Sequence, residues 1–268
     1  MSTLSYAVTD SATMLRRQLR HMLRYPSMTL MLAGLPIVLL LLFVYVFGGT
    51  LGAGLGGFSG GFSGDRADYV DYVTPGIMLI TVASAAQGTA ISVAMDMTEG
   101  IIARFRTMAI ARVSVLTGHV LGSMIQTMLS LALVTAVALL IGFRPTAGVA
   151  DWIAAVGVVA MITFALTWLS VALGMVSKSV ETASNLPMFL MLLPFLGSGF
   201  VPTDSMPAGV RWFAEYQPFT PVMEALRGSL TGTPMQHHSA VLAIAWSAGI
   251  GLAGYLWAKR LFNRDRTP

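Results

Sequence analysis

Residues 29–49 read TLMLAGLPIVLLLLFVYVFGG, 21 consecutive positions without Asp, Glu, Lys, Arg or His. As a helix, a stretch of that length matches the roughly 30 Å hydrocarbon core of a bilayer. Further stretches free of Asp, Glu, Lys and Arg follow at 73–95, 115–141, 153–176, 183–200 and 239–258. Lipid offers no hydrogen-bond partner to an open backbone, so these stretches have to be helical. The expectation is an all-α membrane protein with six transmembrane helices in one domain, 1–268. Composition agrees, with 55% apolar and 10% charged residues where a soluble domain carries about 25% charged. A cytosolic enzyme domain and a disordered chain are both excluded.

Basic residues fix the expected orientation. An even span count puts both termini on one side, and that side collects 12 of the 16 Lys and Arg residues. By the positive-inside rule both termini are then cytoplasmic, and the net charge of +4 needs no nucleic acid to explain it. Some 28 residues precede the first span, which is unlike a cleaved signal peptide with its short apolar region. The chain has no cysteine, which removes disulfides, thiolate metal sites and cysteine nucleophiles together.

Two segments outside the spans have helical amphipathic spacing. In 10–25, Leu15, Leu19, Met22 and Leu23 share a face while Arg16, Arg20 and Arg24 occupy another. That pattern predicts a helix in the cytoplasmic interface, apolar side in lipid. Between spans two and three, Ile101, Phe105, Met108 and Ala109 repeat with helical spacing among Glu99, Arg104, Arg106 and Arg112. A second helix is expected there, placed along the membrane to meet a cytoplasmic partner.

Several motifs suggest soluble chemistry and lack its context. Gly52, Gly54 and Gly57 spell GxGxxG without the strand and helix that a dinucleotide site requires. The GxSxG around Ser59 has no hydrolase sheet to carry its elbow. The GFSG repeats at Ser59 and Ser63 resemble the nucleophile motif of rhomboid intramembrane proteases, but they fall in the glycine-rich outer loop expected from Gly48 to Gly64, which places a nucleophile poorly. His21, His119, His237 and His238 do not have metal-ligand spacing.

The energy source is expected to lie elsewhere. A phosphate-binding loop needs GxxxxGK[ST], and the chain's two lysines, Lys178 after Ser177 and Lys259 after Ala258, do not fit it. An ion-driven carrier buries ionisable groups in its spans, whereas His119 is the sole titratable candidate in the first five spans. Polar uncharged residues do recur on helical faces: Thr81, Ser84, Gln87 and Ser92 on span two, and Ser123, Gln126, Thr127 and Ser130 on span three. They read as interhelical packing or as part of a wet conduit, to which Asn185, Met188 and Phe189 on span five would add adaptable surface.

Two longer motifs carry a family resemblance. After span two come Glu99, Gly100, Arg104, Phe105 and Arg106, then Ala111 and Arg112. Near the end come Phe200, Val201 and Pro202, then Phe213, Ala214, Glu215, Gln217, Pro218, Phe219, Thr220 and Pro221, and finally Ala225, Leu226, Arg227 and Gly228. In this order the chain resembles the permease subunits of type-2 ABC exporters, notably the daunorubicin-resistance type of actinobacteria. The excess of Arg over Lys fits a GC-rich bacterial genome.

The resemblance implies that 97–112 is a coupling helix, with Glu99, Gly100, Arg104, Phe105, Arg106 and Arg112 facing a separate ATP-binding subunit. It implies a permease homodimer with two such subunits, ATP and Mg held by them, and export of an amphipathic compound across a bacterial plasma membrane. Spans two and five would line the path, with Ser84, Gln87, Asn185, Met188 and Phe189. Residues 201–234 would form short re-entrant outer helices, where Arg211 with Glu215 and Glu224 with Arg227 have surface-pair spacing. Ala103 and Ala109 stand where relatives commonly carry an acidic residue and a proline.

Overall fold

The computed structural model describes residues 3–24, 26–55, 66–100, 112–232 and 237–263. All regular elements among the described residues are helical, and five helices are long and apolar enough to cross a membrane.

The N-terminal helix α1 (Thr3–Arg24) starts well before the expected residue 10. It is followed by α2 (Pro26–Leu42), a π-helical turn (Phe43–Phe47) and α3 (Gly48–Leu55). The glycine-rich stretch expected as a loop from residue 48 therefore begins as helix. Leaving the helix inside hydrocarbon strands backbone groups, a cost larger than glycine's entropy. Gly52 and Gly54 are helical, so the GxGxxG match does not form a phosphate loop. Gly57, Ser59 and Ser63 lie outside the described residues.

At the centre stands α4 (Arg66–Thr98): 72% of its most apolar window is buried, against 22% for the first span. Around it pack α5 (Arg112–Ile141) and α6 (Val149–Val176), and α6 in turn carries α11 (His237–Asn263) along its length. Small residues set these distances. A β-carbon at Gly174 of α6 would lie 2.5 Å from the Ala90 carbonyl oxygen of α4, and one at Gly254 of α11 would lie 2.6 Å from the Leu169 nitrogen of α6. Such near contact of backbones is how helices associate where lipid removes the hydrophobic drive.

The apolar stretch expected as span five is broken. It divides into α7 (Val180–Asn185), α8 (Met188–Leu192) and a 3-10 turn (Leu193–Leu196). Pro187 sits at the first break and Pro194 opens the last turn, each lacking an N–H for the helical ladder. Ser179 caps α7 by accepting a hydrogen bond from the Thr182 N–H at 3.2 Å. Beyond it come a 3-10 turn (Thr203–Ser205), α9 (Ala208–Tyr216) and α10 (Phe219–Thr231).

The α1 helix does not present its apolar face only to lipid, as its amphipathic spacing predicts. It packs along α5, with Leu15, Leu19 and Met22 half-buried and Arg16, Arg20 and Arg24 exposed.

The glycine contacts make a direct stability test. Gly174→Ala drives a methyl into the α4 backbone and is expected to cost about 1–3 kcal/mol, seen as a lower Tm in detergent or nanodiscs. Gly157→Ala on the same helix meets nothing within 4 Å and is expected to leave Tm unchanged or slightly raised.

Candidate coupling and translocation site

The C-terminal end of α4 explains part of the first motif. The Thr98 hydroxyl donates to the Met95 carbonyl at 3.0 Å, and the Glu99 and Gly100 N–H groups donate to Met95 and Met97 at 2.9 and 3.3 Å. Gly100 has φ +72°, a left-handed conformation that glycine adopts without penalty and that ends helices. The Glu-Gly pair is thus the turn that carries the chain off α4. Of the expected 97–112 helix, Met97 and Thr98 belong to the last turn of α4, and Arg112 opens α5. Arg104, Phe105 and Arg106 lie outside the described residues.

Three side chains meet beside this turn. His119 of α5, 6% exposed, places Nε2 3.0 Å from Asp96 Oδ2 on α4. Its Nδ1 lies 3.1 Å from Gln18 Nε2 on α1. With the Gln18 amide donating, Nδ1 accepts and Nε2–H donates to the carboxylate, so one tautomer satisfies both neighbours. Gly122, one turn further along α5, lets α1 come this close: a β-carbon there would lie 2.8 Å from Gln18 Cβ.

The polar residues on and around the faces of α4 and α5 divide into two sets. Thr81 and Thr127 are fully buried and donate to carbonyls of their own helices, Ile77 at 3.0 Å and Ser123 at 2.7 Å. Thr89 and Ser123 hydrogen-bond across α4 and α5 at 2.5 Å. These are packing contacts. Ser84 and Gln87 are half-buried; Ser84 donates to Ile80 O at 2.8 Å, and Gln87 Nε2 donates to Ser184 O of α7 at 2.7 Å. Asn185 is exposed next to that contact, and Met188 and Phe189 are each 53% exposed. Gln87 therefore joins α4 to the broken segment, while Asn185, Met188 and Phe189 remain on an open surface.

The second motif builds a buried polar cluster. Arg227 of α10 is buried, with Cζ 3.9 Å over the Tyr72 ring. Its Nη2 donates to Ser198 O at 2.7 Å and to Tyr72 O at 3.2 Å. The expected surface pair of Glu224 with Arg227 is not how this arginine is used. Both lie one turn apart, but Arg227 points into the bundle beside Val222, Met223 and Leu226, all fully buried, and Glu224 accepts from the Ser239 hydroxyl. Gln217 Nε2 donates to Leu193 O at 2.8 Å, tying the 3-10 turn to the same cluster. Arg211 does pair as its spacing predicts, with Glu215 at 2.7 Å and Asp204 at 2.6 Å. The Glu215 hydrogen bond, with the Asp204 charge beside it, pushes the Arg211 pKa up from its ordinary value.

The family of ABC-2 type transporters matches residues 10–231, from α1 through the last turn of α10. The chain belongs to that family. It is 27% identical over 228 residues to the daunorubicin resistance ABC transporter permease protein DrrB1 of Streptomyces coeruleorubidus, covering 85% of this chain and 77% of that one. It is 23% identical over 177 residues to the probable doxorubicin resistance ABC transporter permease protein DrrC of Mycobacterium tuberculosis, covering 65% and 64%. The chain is accordingly a membrane-spanning ABC permease, the function class that the two motifs implied.

Two groupings in this permease are absent from the sequence reading. His119 stands out as an ionisable residue in a span, but its partners lie 23 and 101 positions away, beyond any helical spacing. Arg227 carried a usable signal, a basic residue flanked by apolar positions on a short helix whose other charge is Glu224, a setting that favours burial on backbone carbonyls.

Removing the Arg227 guanidinium strands buried carbonyls. Arg227→Leu is expected to cost about 1–3 kcal/mol for each one left unpaired, with Arg227→Lys intermediate because it keeps a donor without the planar fork. Thermal unfolding of the purified permease in nanodiscs measures both.

Proposed function

We propose that this permease works as a dimer with two copies of a separate ATP-binding subunit and exports an amphipathic or hydrophobic compound from the cytoplasm or inner leaflet. The observation that carries the reading is the family match over residues 10–231. The broken segment 180–196 acts as the sixth crossing, both termini are cytoplasmic, and 201–232 is the re-entrant outer segment. ATP and Mg sit on the partner, which does the hydrolysis. The names of the relatives, daunorubicin and doxorubicin resistance permeases, support a planar amphipathic drug as the substrate class.

In this reading the segment after Gly100 receives the ATPase motion, and Glu99, Arg104, Phe105, Arg106 and Arg112 are the contact residues. The left-handed Gly100 sets the angle at which that segment leaves α4. Ser84 and Gln87 then face the path from α4, with Asn185, Met188 and Phe189 beside them on the broken segment. Met188 suits varied apolar ligands because its flexible thioether adapts its shape at low cost, and Phe189 adds a flat aromatic face.

Reconstitution with the ATPase subunit tests the coupling. A left-handed non-glycine residue costs about 1–2 kcal/mol, so Gly100→Ala is expected to lower ATP-driven efflux of a fluorescent anthracycline from proteoliposomes, as is Glu99→Ala. Unchanged efflux in both would remove the coupling role. Efflux that follows an imposed proton gradient and ignores ATP would make the chain an ion-driven carrier instead.

Orientation has its own measurement, simplified by the absence of native cysteine. A cysteine replacing Ala208 is expected to react with an impermeant maleimide on intact cells. One replacing Ala12, on the exposed side of α1, is expected to react only after permeabilisation, and the reverse pattern would invert the topology.

A further inference from the structure

Gln18, His119 and Asp96 join the three helices that surround the departure and return of the 97–112 segment. Asp96 lies three residues before Glu99 on α4, and His119 lies seven residues after Arg112 on α5. Their 3.0 Å contact clips together the end of α4 and the start of α5. The 3.1 Å contact from Gln18 adds α1, held in place by its close approach to Gly122.

A push on the segment between α4 and α5 has two outcomes. The helix ends splay and the displacement is lost locally, or they move as one body and carry it into the bundle. Splaying here means breaking a contact to a carboxylate at a histidine only 6% exposed. Hydrogen bonds to charged groups are stronger than neutral ones, and a buried partner left unpaired is costly. Rigid-body motion is therefore favoured.

We propose that His119 is a positioning residue for energy coupling: it makes α1, the end of α4 and the start of α5 one mechanical unit, so that ATPase motion reaches the N-terminal helix and the spans together. The proposal rests on the reading of 97–112 as the ATPase contact. Its signature is loss of transport per ATP without loss of the complex. A residue needed only for stability would instead lower Tm and leave that ratio intact.

The test uses the full permease with its ATPase subunit in proteoliposomes, measuring rhodamine 123 efflux and phosphate release in parallel. His119→Ala is expected to keep the complex and its ATP hydrolysis while efflux per ATP falls at least about fivefold, the low end of typical coupling factors. His119→Gln offers Asp96 an N–H at the position of Nε2 and is expected to restore most of the ratio. Gln18→Leu keeps the packing on Gly122, cuts only the α1 link and is expected to give an intermediate ratio. Should His119→Ala not accumulate as folded protein, a wild-type ratio in Gln18→Leu would overturn the proposal and a reduced one would support it. An unchanged ratio in a folded His119→Ala complex overturns the proposal alone. A wild-type permease that fails to bind the ATPase overturns the coupling-segment reading and the proposal with it.

Discussion

A backbone carbonyl without a donor is the costliest object to bury in this protein, because neither lipid nor a dry helix interior supplies a partner. At several departures from regular α-helix the same solution recurs: a polar side chain from another element donates to the exposed carbonyl. At the π-helical turn, Arg66 Nε donates to Val44 O at 3.1 Å. Near the end of α7 the donor to Ser184 is Gln87, at the 3-10 turn the donor to Leu193 is Gln217, and in the loop beyond it Arg227 donates to Ser198. Just past the end of α5 the donor is local, Arg144 Nη1 reaching back to Leu139 O and Phe143 O. The few charges and amides in or near the spans are thus mostly structural, and their positions follow the breaks.

That constraint divides the molecule mechanically. The α4, α6 and α11 helices cross with backbones almost touching at Gly174 and Gly254, and repositioning them would collide main chain with main chain. The segment from Leu186 to Gln217 is made of short pieces, tied to α10 where Arg227 donates to Ser198 O and to α11 where Trp246 Nε1 donates to Tyr216 O. Gly76 of α4 and Gly199 of that segment also meet closely, a β-carbon at Gly76 falling 2.8 Å from the Gly199 carbonyl oxygen. The broken segment is therefore seated on the rigid helices without being continuous with them.

The parts of this arrangement legible in the sequence depended on local periodicity. Five of the six expected spans appear as long apolar helices because a run of uncharged residues leaves the backbone no alternative. The sixth, 183–200, was equally apolar, and its breaks were written in Pro187 and Pro194, but apolar length alone conceals them. The stretch from Gly48 to Leu55 misled in the opposite sense: its glycines read as loop by water-based propensity, while hydrocarbon reverses that preference. The Glu-Gly motif was visible as a motif, and its physical content, a left-handed turn at the end of α4, needed the backbone. Contacts such as Gln18 with His119 or Arg227 with Tyr72 join residues 101 and 155 positions apart, and no spacing rule reaches that far.

Surface distribution adds a last step. The broken segment leaves Met188, Phe189, Leu192, Phe195 and Leu196 between 40% and 53% exposed, while it is fixed to α4 through Gln87 and to the end of α9 through the Leu193–Gln217 bond. A rearrangement at this segment exchanges one lipid-compatible apolar surface for another and disturbs few hydrogen bonds, whereas a rearrangement within the α4–α6–α11 core would break close-packed backbone contacts. Conformational change costs least where contacts are fewest and cooperative units are smallest. The proline breaks, costly for a simple membrane anchor, give this permease a compliant segment beside a stiff core.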